Sequence, residues 1–164
     1  MATRTWDVGS EAGFMACYRD TFAEVYRYAG MLCGNDRAGA EDLVQDVYLT
    51  ALSKARDGGL RELSTGWFIT AAHHRFIDRL RSSEREHRRL QLVSAPETDD
   101  LPVSVMPSQL AGLPDRERVA LVLRFVDDLT VAQVAHAMGL STHAAESLVA
   151  RALRRVRQQE VRDA

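Results

Sequence analysis

At 164 residues the chain has room for one ordinary domain or two small ones, and a hydrophobic content of 46% lies far from disorder. No apolar run approaches the roughly 20 residues that a membrane-spanning helix needs, and MATRTWDVGSEAG lacks a signal-peptide core, so a cytoplasmic protein without membrane insertion is expected. A net charge of −2 argues against a generic DNA-coating protein. Residues 1–66 carry seven basic and ten acidic side chains, residues 67–92 six and three, residues 93–115 none and four, and residues 116–164 eight and six. Any nucleic-acid contact must therefore use two local basic patches with an acidic segment between them.

Phe14, Met15, Tyr18, Phe22, Val25, Tyr26, Ala29 and Cys33 recur at helical spacing and predict a first helix ending near Gly34. Asn35 or Asp36 can cap a second helix that buries Ala40, Leu43, Val44, Val47, Tyr48, Ala51 and Leu52. Its other face holds Glu41, Asp42, Gln45 and Asp46, either a solvated surface or a docking surface for a basic partner. Cys17 and Cys33 lie on apolar stripes and are expected to be buried thiols, not metal ligands or a disulfide.

Arg56-Asp57-Gly58-Gly59 breaks the second helix, and a loop containing Arg61 runs to Ser64-Thr65, a natural cap for the next. In that third helix Trp67, Phe68, Ala71, Ala72, Phe76 and Leu80 form an apolar stripe. Its second half turns basic, with Arg75, Arg79, Arg81, Arg85, Arg88 and Arg89 facing only Asp78, Glu84 and Glu86. A solvated amphipathic helix would look similar, but cations neutralise phosphates and aromatic rings stack on unpaired bases. No strand pattern is evident in this module.

From Val93 to Pro107 the chain has three of its four prolines and no basic residue, which predicts an extended linker. Leu113-Pro114-Asp115 then opens a helix expected to run through Val119–Val126 to Asp127-Asp128. Thr130 caps a short helix with Val131, Val134, Ala135 and Met138 inward, and Gly139 makes a turn. Ser141 caps a last helix that buries Ala145, Leu148, Val149, Ala152 and Val156. A short helix, a glycine turn and a longer basic helix make a helix-turn-helix layout. The exposed face of the last helix would carry Thr142, His143, Glu146, Ser147, Ala150, Arg151, Arg154, Arg155 and Arg157. The fold class expected is all-α, with two small helical domains joined by a flexible linker: residues 12–90, a linker 91–107, and a helix-turn-helix domain 108–160.

These segments resemble a known family. Ala40-Glu41-Asp42-Leu43-Val44-Gln45-Asp46-Val47 is similar to the core-polymerase-binding helix of bacterial sigma factors of the extracytoplasmic-function group. Trp67-Phe68-Ile69 with Arg75-Phe76-Ile77-Asp78-Arg79-Leu80-Arg81 resembles the adjoining helix, and Leu113 through Arg157 resembles that family's DNA-binding domain. The resemblance implies a non-enzymatic protein without cofactor or metal, which binds core RNA polymerase through its β′ clamp and β subunits and also binds promoter DNA. An anti-sigma factor is a further expected partner. Glu41, Asp42, Leu43, Gln45 and Asp46 would meet polymerase. Arg56, Arg61, Ser64, Trp67, His73, His74, Arg75, Asp78, Arg79 and Arg81 would bind and melt the −10 element, a pocket in the 56–65 loop holding a flipped base. Ser141, Thr142, His143, Glu146, Ser147, Ala150, Arg151, Arg154 and Arg155 would read the −35 element in the major groove. Glu97, Asp99 and Asp100 would thread the polymerase's positive cleft, although a plain soluble tether has the same composition.

Four positions depart from the family pattern. Glu146 stands where Lys or Arg is frequent and Ala150 where a larger side chain is frequent. An acid there can accept from cytosine N4 and repels phosphate, so an unusual −35 preference is expected. His73-His74 replace a cation and an amide, giving up a permanent phosphate contact and adding groups that titrate near neutrality. Two rival readings give different roles to these features: a phosphotransfer protein using His73 or His74, and a regulator that binds duplex DNA without polymerase.

Overall fold

The computed structural model describes residues 4–34, 36–90 and 108–162. Linker positions Glu97, Asp99 and Asp100, and the candidate cap Asn35, lie outside the described residues.

Helix α1 (Glu11–Cys33) starts where Ser10 accepts a hydrogen bond from the Gly13 N–H, and α2 (Arg37–Arg56) starts where Asp36 does the same for Gly39. Each cap satisfies a donor the helix itself cannot. Together with α3 (Thr65–Leu90), which Ser64 caps through the Trp67 N–H, they enclose a core of Val25, Leu32, Leu43, Val47 and Phe68, all fully buried. Tyr48 joins the three helices: its ring packs edge-on to Tyr18 and tilted on Phe68, while its hydroxyl lies 2.7 Å from that of Thr21. Cys17 and Cys33 are buried free thiols, and burial pushes Cys33 up to about 12.

The absence of strands, expected from the sequence, is corrected by a short antiparallel ribbon. β1 (Thr5–Asp7) pairs with β2 (Glu62–Ser64), Trp6 opposite Leu63. Three-residue strands are too short to show an alternating pattern. A ribbon this small is not stable alone. It is pinned by the buried Leu63 side chain and by Asp20 of α1, which accepts from the Trp6 indole at 3.0 Å and pairs with Arg4. The 56–65 loop is thereby tied to the start of the chain.

The second module begins with α4 (Ser108–Ala111) and α5 (Asp115–Leu121). The single helix expected up to Asp127 instead widens into a π turn over Val122–Val126, where the Asp127 N–H donates to the Val122 carbonyl five residues back. Asp128 then takes a left-handed φ of 54°, uncommon for a side-chain-bearing residue. Helix α6 (Val131–Met138) has a reciprocal capping box between Thr130 and Gln133. Gly139, at φ 65°, ends it with the Gly139 and Leu140 N–H groups returning to the His136 and Ala135 carbonyls. Ser141 caps α7 (Thr142–Arg162) through the Ala144 N–H.

The two modules share one apolar core, from Leu32 and Ile77 to Val119, Leu123 and Val134. Arg118 of α5 is 4% exposed and donates to the Leu32 carbonyl at the end of α1, to the Leu113 carbonyl and to Asp115. Gly34 makes room for it: its φ is +69°, and a Cβ there would sit 2.9 Å from the guanidinium carbon.

Candidate functional site

Three surfaces carry the candidate residues. On α2, Glu41, Asp42 and Gln45 are exposed, and Asp46 is part-exposed beside Arg79 at 2.5 Å. Glu41 also pairs with Arg37 one turn earlier, at 2.8 Å. Leu43, within the same motif, is fully buried in the core, as its place on the apolar stripe of the helix predicts.

Beside this acidic face runs a groove of about 470 Å³ between α1 and α2. Its wall is aromatic, Phe14, Tyr18, Phe22 and Tyr26 following one another at four-residue steps, with Leu49 57% exposed at its edge and Glu41, Asp42 and Gln45 on the rim. The sequence reading placed those rings on the apolar repeat of the first helix and gave them no site role. The four-residue steps could have signalled a helix face, but whether a partner helix covers that face is decided by packing.

Of the residues expected from the sequence to bind the −10 element, Arg56, Arg61, His74, Arg75 and Asp78 are exposed, and Ser64, Trp67, Arg79 and Arg81 part-exposed. Arg75 donates to the Thr50 hydroxyl, and Arg79 is neutralised by Asp46. His73 is set apart from this group. It is 7% exposed, and its Nδ1 lies 3.5 Å from the Asp127 carboxylate of the second module. Burial, then the adjacent His73, holds the His74 imidazole below its ordinary range. Arg81 reaches the other way, donating to the Ala137 carbonyl of α6 and lying over Gly139.

On α7, Thr142, His143, Glu146, Ser147, Ala150, Arg151, Arg154 and Arg155 are exposed, as is their cap Ser141, while Ala145, Leu148, Val149 and Ala152 pack inward. Behind the arginines sits Glu117 of α5, 4% exposed, with Arg155 at 2.9 Å and Arg151 at 3.9 Å. The sequence reading gave Glu117 no site role. A Glu two residues after a helix-opening Asp looks like a first-turn dipole partner, and only the crossing of α5 by α7 aims it at the arginines.

Among the described residues no group of three or more His, Cys, Asp or Glu is placed to hold a metal ion, and no helix is long and apolar enough to cross a membrane. The arrangement offers cations, hydrogen-bond donors and ring faces, which suit binding.

Comparisons with known proteins agree with the order of these parts. Residues 15–86 match the family described as Sigma-70 region 2, and residues 109–158 match Sigma-70, region 4. The chain is 33% identical over 138 residues to the ECF RNA polymerase sigma factor SigK of Mycolicibacterium vanbaalenii, covering 74% of this chain and 68% of that protein. It is 26% identical over 152 residues to the RNA polymerase sigma factor SigV of Bacillus subtilis, covering 90% and 91%. Among solved structures, the sigma factor RpoE crystallised with the anti-sigma factor NepR from Bartonella quintana has a similar fold, with a TM-score of 0.57 at 21% identity over 88% of this chain and 94% of that one. Two helical modules matched in sequence order, and a relative one-third identical over most of its length, place the chain in the extracytoplasmic-function group of sigma-70 RNA polymerase sigma factors, which direct promoter-specific initiation of transcription.

Proposed function

We propose that the three surfaces divide the work of initiation: α2 docks on core polymerase, α3 with the 56–65 loop opens the −10 element, and α7 reads the −35 element. The chain itself carries out no bond chemistry and works in the cell interior, beside the polymerase. The observation that carries this reading is on α7. All nine candidate −35 residues are exposed on a helix whose opposite side is packed, immediately after a short helix and a left-handed glycine turn. A helix presented this way fits the major groove with its first turns on base edges.

For docking, the exposed Glu41, Asp42 and Gln45 border the aromatic groove, which together suit a basic amphipathic helix of the β′ clamp: carboxylates meet its cations while the rings take its apolar side. For melting, Arg75, Arg79 and Arg81 would hold phosphates while the half-buried Trp67, earlier on the same helix, offers a ring face. The fold shared with a sigma factor solved in complex with an anti-sigma factor supports an inhibitor of that kind as a further partner. A phosphotransfer role has no support at His73, whose burial keeps it from a phosphodonor.

Run-off transcription with purified core polymerase on genomic fragments, with start sites mapped, tests the reading. Discrete start sites preceded by a shared pair of sequence elements, and their loss in Asp42→Lys, are expected. The free protein should shift promoter duplexes weakly and the holoenzyme strongly; equal shifts with and without core polymerase would instead identify a stand-alone regulator.

A further inference from the structure

The two halves of the 56–65 loop are held by different parts of the molecule. The first half closes on the end of α2: the Asp57 and Gly58 N–H groups donate to the Ser53 and Ala55 carbonyls, and those of Gly59 and Leu60 both reach the Lys54 carbonyl. The second half takes backbone partners from a stretch more than fifty residues earlier. The Val8 N–H donates to the Arg61 carbonyl at 2.8 Å, and Thr5, Trp6 and Asp7 stand opposite Ser64, Leu63 and Glu62. Ser64 then caps α3, so the same pairing sets where that helix begins.

The stretch Arg4–Val8 is in turn seated on α1 by contacts of three kinds. Val8 is 3% exposed and joins the core. Asp20 accepts from the Trp6 indole and pairs with Arg4, whose guanidinium lies 5.1 Å from the centre of the Trp6 ring. The Asp7 carbonyl oxygen rests against the backbone of α1 at Gly13, where a Cβ would run into it. Alanine is the better helix former, so what glycine supplies at this place in α1 is room for the passing chain.

We propose that Arg4–Val8 is a positioning arm for −10 recognition: by fixing the backbone of residues 61–64 it holds the loop in the shape that can take a flipped base. The inference rests on the −10 role proposed for the loop and names what sets the loop's shape. Register supplies the physical reason. Successive side chains of a strand point to opposite faces, and the pairing of Trp6 with Leu63 holds Leu63 inward at 1% exposed, with Glu62 beside it exposed. A slip of one residue would exchange those faces. With the arm lifted, a three-residue strand has no partner and the loop samples many shapes. Capture of a base then weakens by the fraction of time spent in the competent one. The arm's contacts named here fall on α1 and β2, and none involves the acids of α2 or the exposed face of α7, so docking and −35 reading do not depend on them.

The test uses holoenzyme assembled from the full chain. It reads affinity for core polymerase, and the ratio of promoter-opening rates between the −10 sequence found by start-site mapping and its single-base variants. Gly13→Ala alters no side chain of the arm or the loop and favours the helix. It should cut the ratio about tenfold while core affinity stays within about twofold. Trp6→Ala, which removes the indole donor to Asp20, should act the same way. In that background Asp7→Cys with Glu62→Cys, opposed and exposed, should form a disulfide that ties arm to loop, while Cys17 and Cys33 stay buried. The ratio should return on oxidation and fall again with reductant, a repair that a lost DNA contact of Trp6 itself would not show. A ratio unmoved by Gly13→Ala, a loss in Trp6→Ala that the disulfide does not repair, or an equal fall in core affinity overturns the positioning role. Gly58→Val distorts the loop without the arm, because a β-branched residue is strained at φ +71°. A ratio unchanged in that variant overturns the −10 reading of the loop itself.

Discussion

Asp46 of α2 and Arg79 of α3 meet at 2.5 Å, so a carboxylate assigned to polymerase and a guanidinium assigned to promoter DNA neutralise each other in the free chain. Each side chain is close to half exposed, which limits the strength of the pair. Its functional weight lies in linking two surfaces that must act in the same complex.

Asp46→Asn should therefore cost only about 0.5 kcal/mol of stability. It should also leave Arg79 free for phosphate and steepen the salt dependence of DNA binding by about one counterion. Urea unfolding and a salt titration of holoenzyme binding to a −10 fragment check the two halves. A stability loss with no change in salt slope would mean that Arg79 never reaches phosphate.

Glu117 is the buried counter-charge behind α7, the helix proposed to read the −35 element. Glu117→Gln should lower stability by about 1–3 kcal/mol, since it weakens a charge-assisted contact but leaves the half-exposed arginines solvated. With Arg151 and Arg155 less restrained, affinity for unrelated duplexes should rise while discrimination among −35 variants falls. Gel shifts of the holoenzyme on matched and scrambled −35 sequences measure that ratio. An unchanged ratio would leave Glu117 with a purely structural role.

Glu146, exposed on α7 with His143 at 4.0 Å, should set −35 preference through acceptance from cytosine. Glu146→Lys is expected to shift the preferred −35 sequence and keep transcription from other promoters. A promoter library varied at the −35 element reads this directly; a uniform drop across every variant would rule it out.

The lowered pKa of His74 gives stability a pH dependence whose sign is set. Unfolded, the imidazole takes up its proton near pH 6.5; folded, only at lower pH. Between those values the unfolded chain binds more protons, so stability is lost as pH falls through 6.5 and stops falling below the folded value. The nearby Asp78 opposes the shift, which keeps the effect shallow. Urea midpoints measured from about pH 7.5 to pH 5 should decline, and His74→Gln should flatten that decline. An identical profile in the variant would assign the slope to other groups.

How far the sequence carried each element depended on the range of the signal. The caps at Thr130 and Ser141, the choice of Asn35 or Asp36 and of Ser64 or Thr65 for the other two, and the glycine turn at Gly139 were legible because each is a hydrogen bond or dihedral set by near neighbours in sequence. The β1–β2 ribbon was not, because its strands are only three residues long and lie more than fifty residues apart. The π turn also escaped, since Val119 to Val126 reads as one apolar run whether the helix is regular or widened. Leu43 was legible as a core residue, since it falls on the apolar stripe that Ala40, Val44 and Val47 continue.

The sequence by itself determined the main helices, their order, their buried stripes and the family, because caps, periodicity and motif spacing are local along the chain. Only the tertiary structure decided which charges are spoken for. Asp46 with Arg79, Glu117 with Arg155, and Asp127 with Tyr28 and His73 join residues from different helices, and periodicity within one helix carries no information about what another helix brings against it.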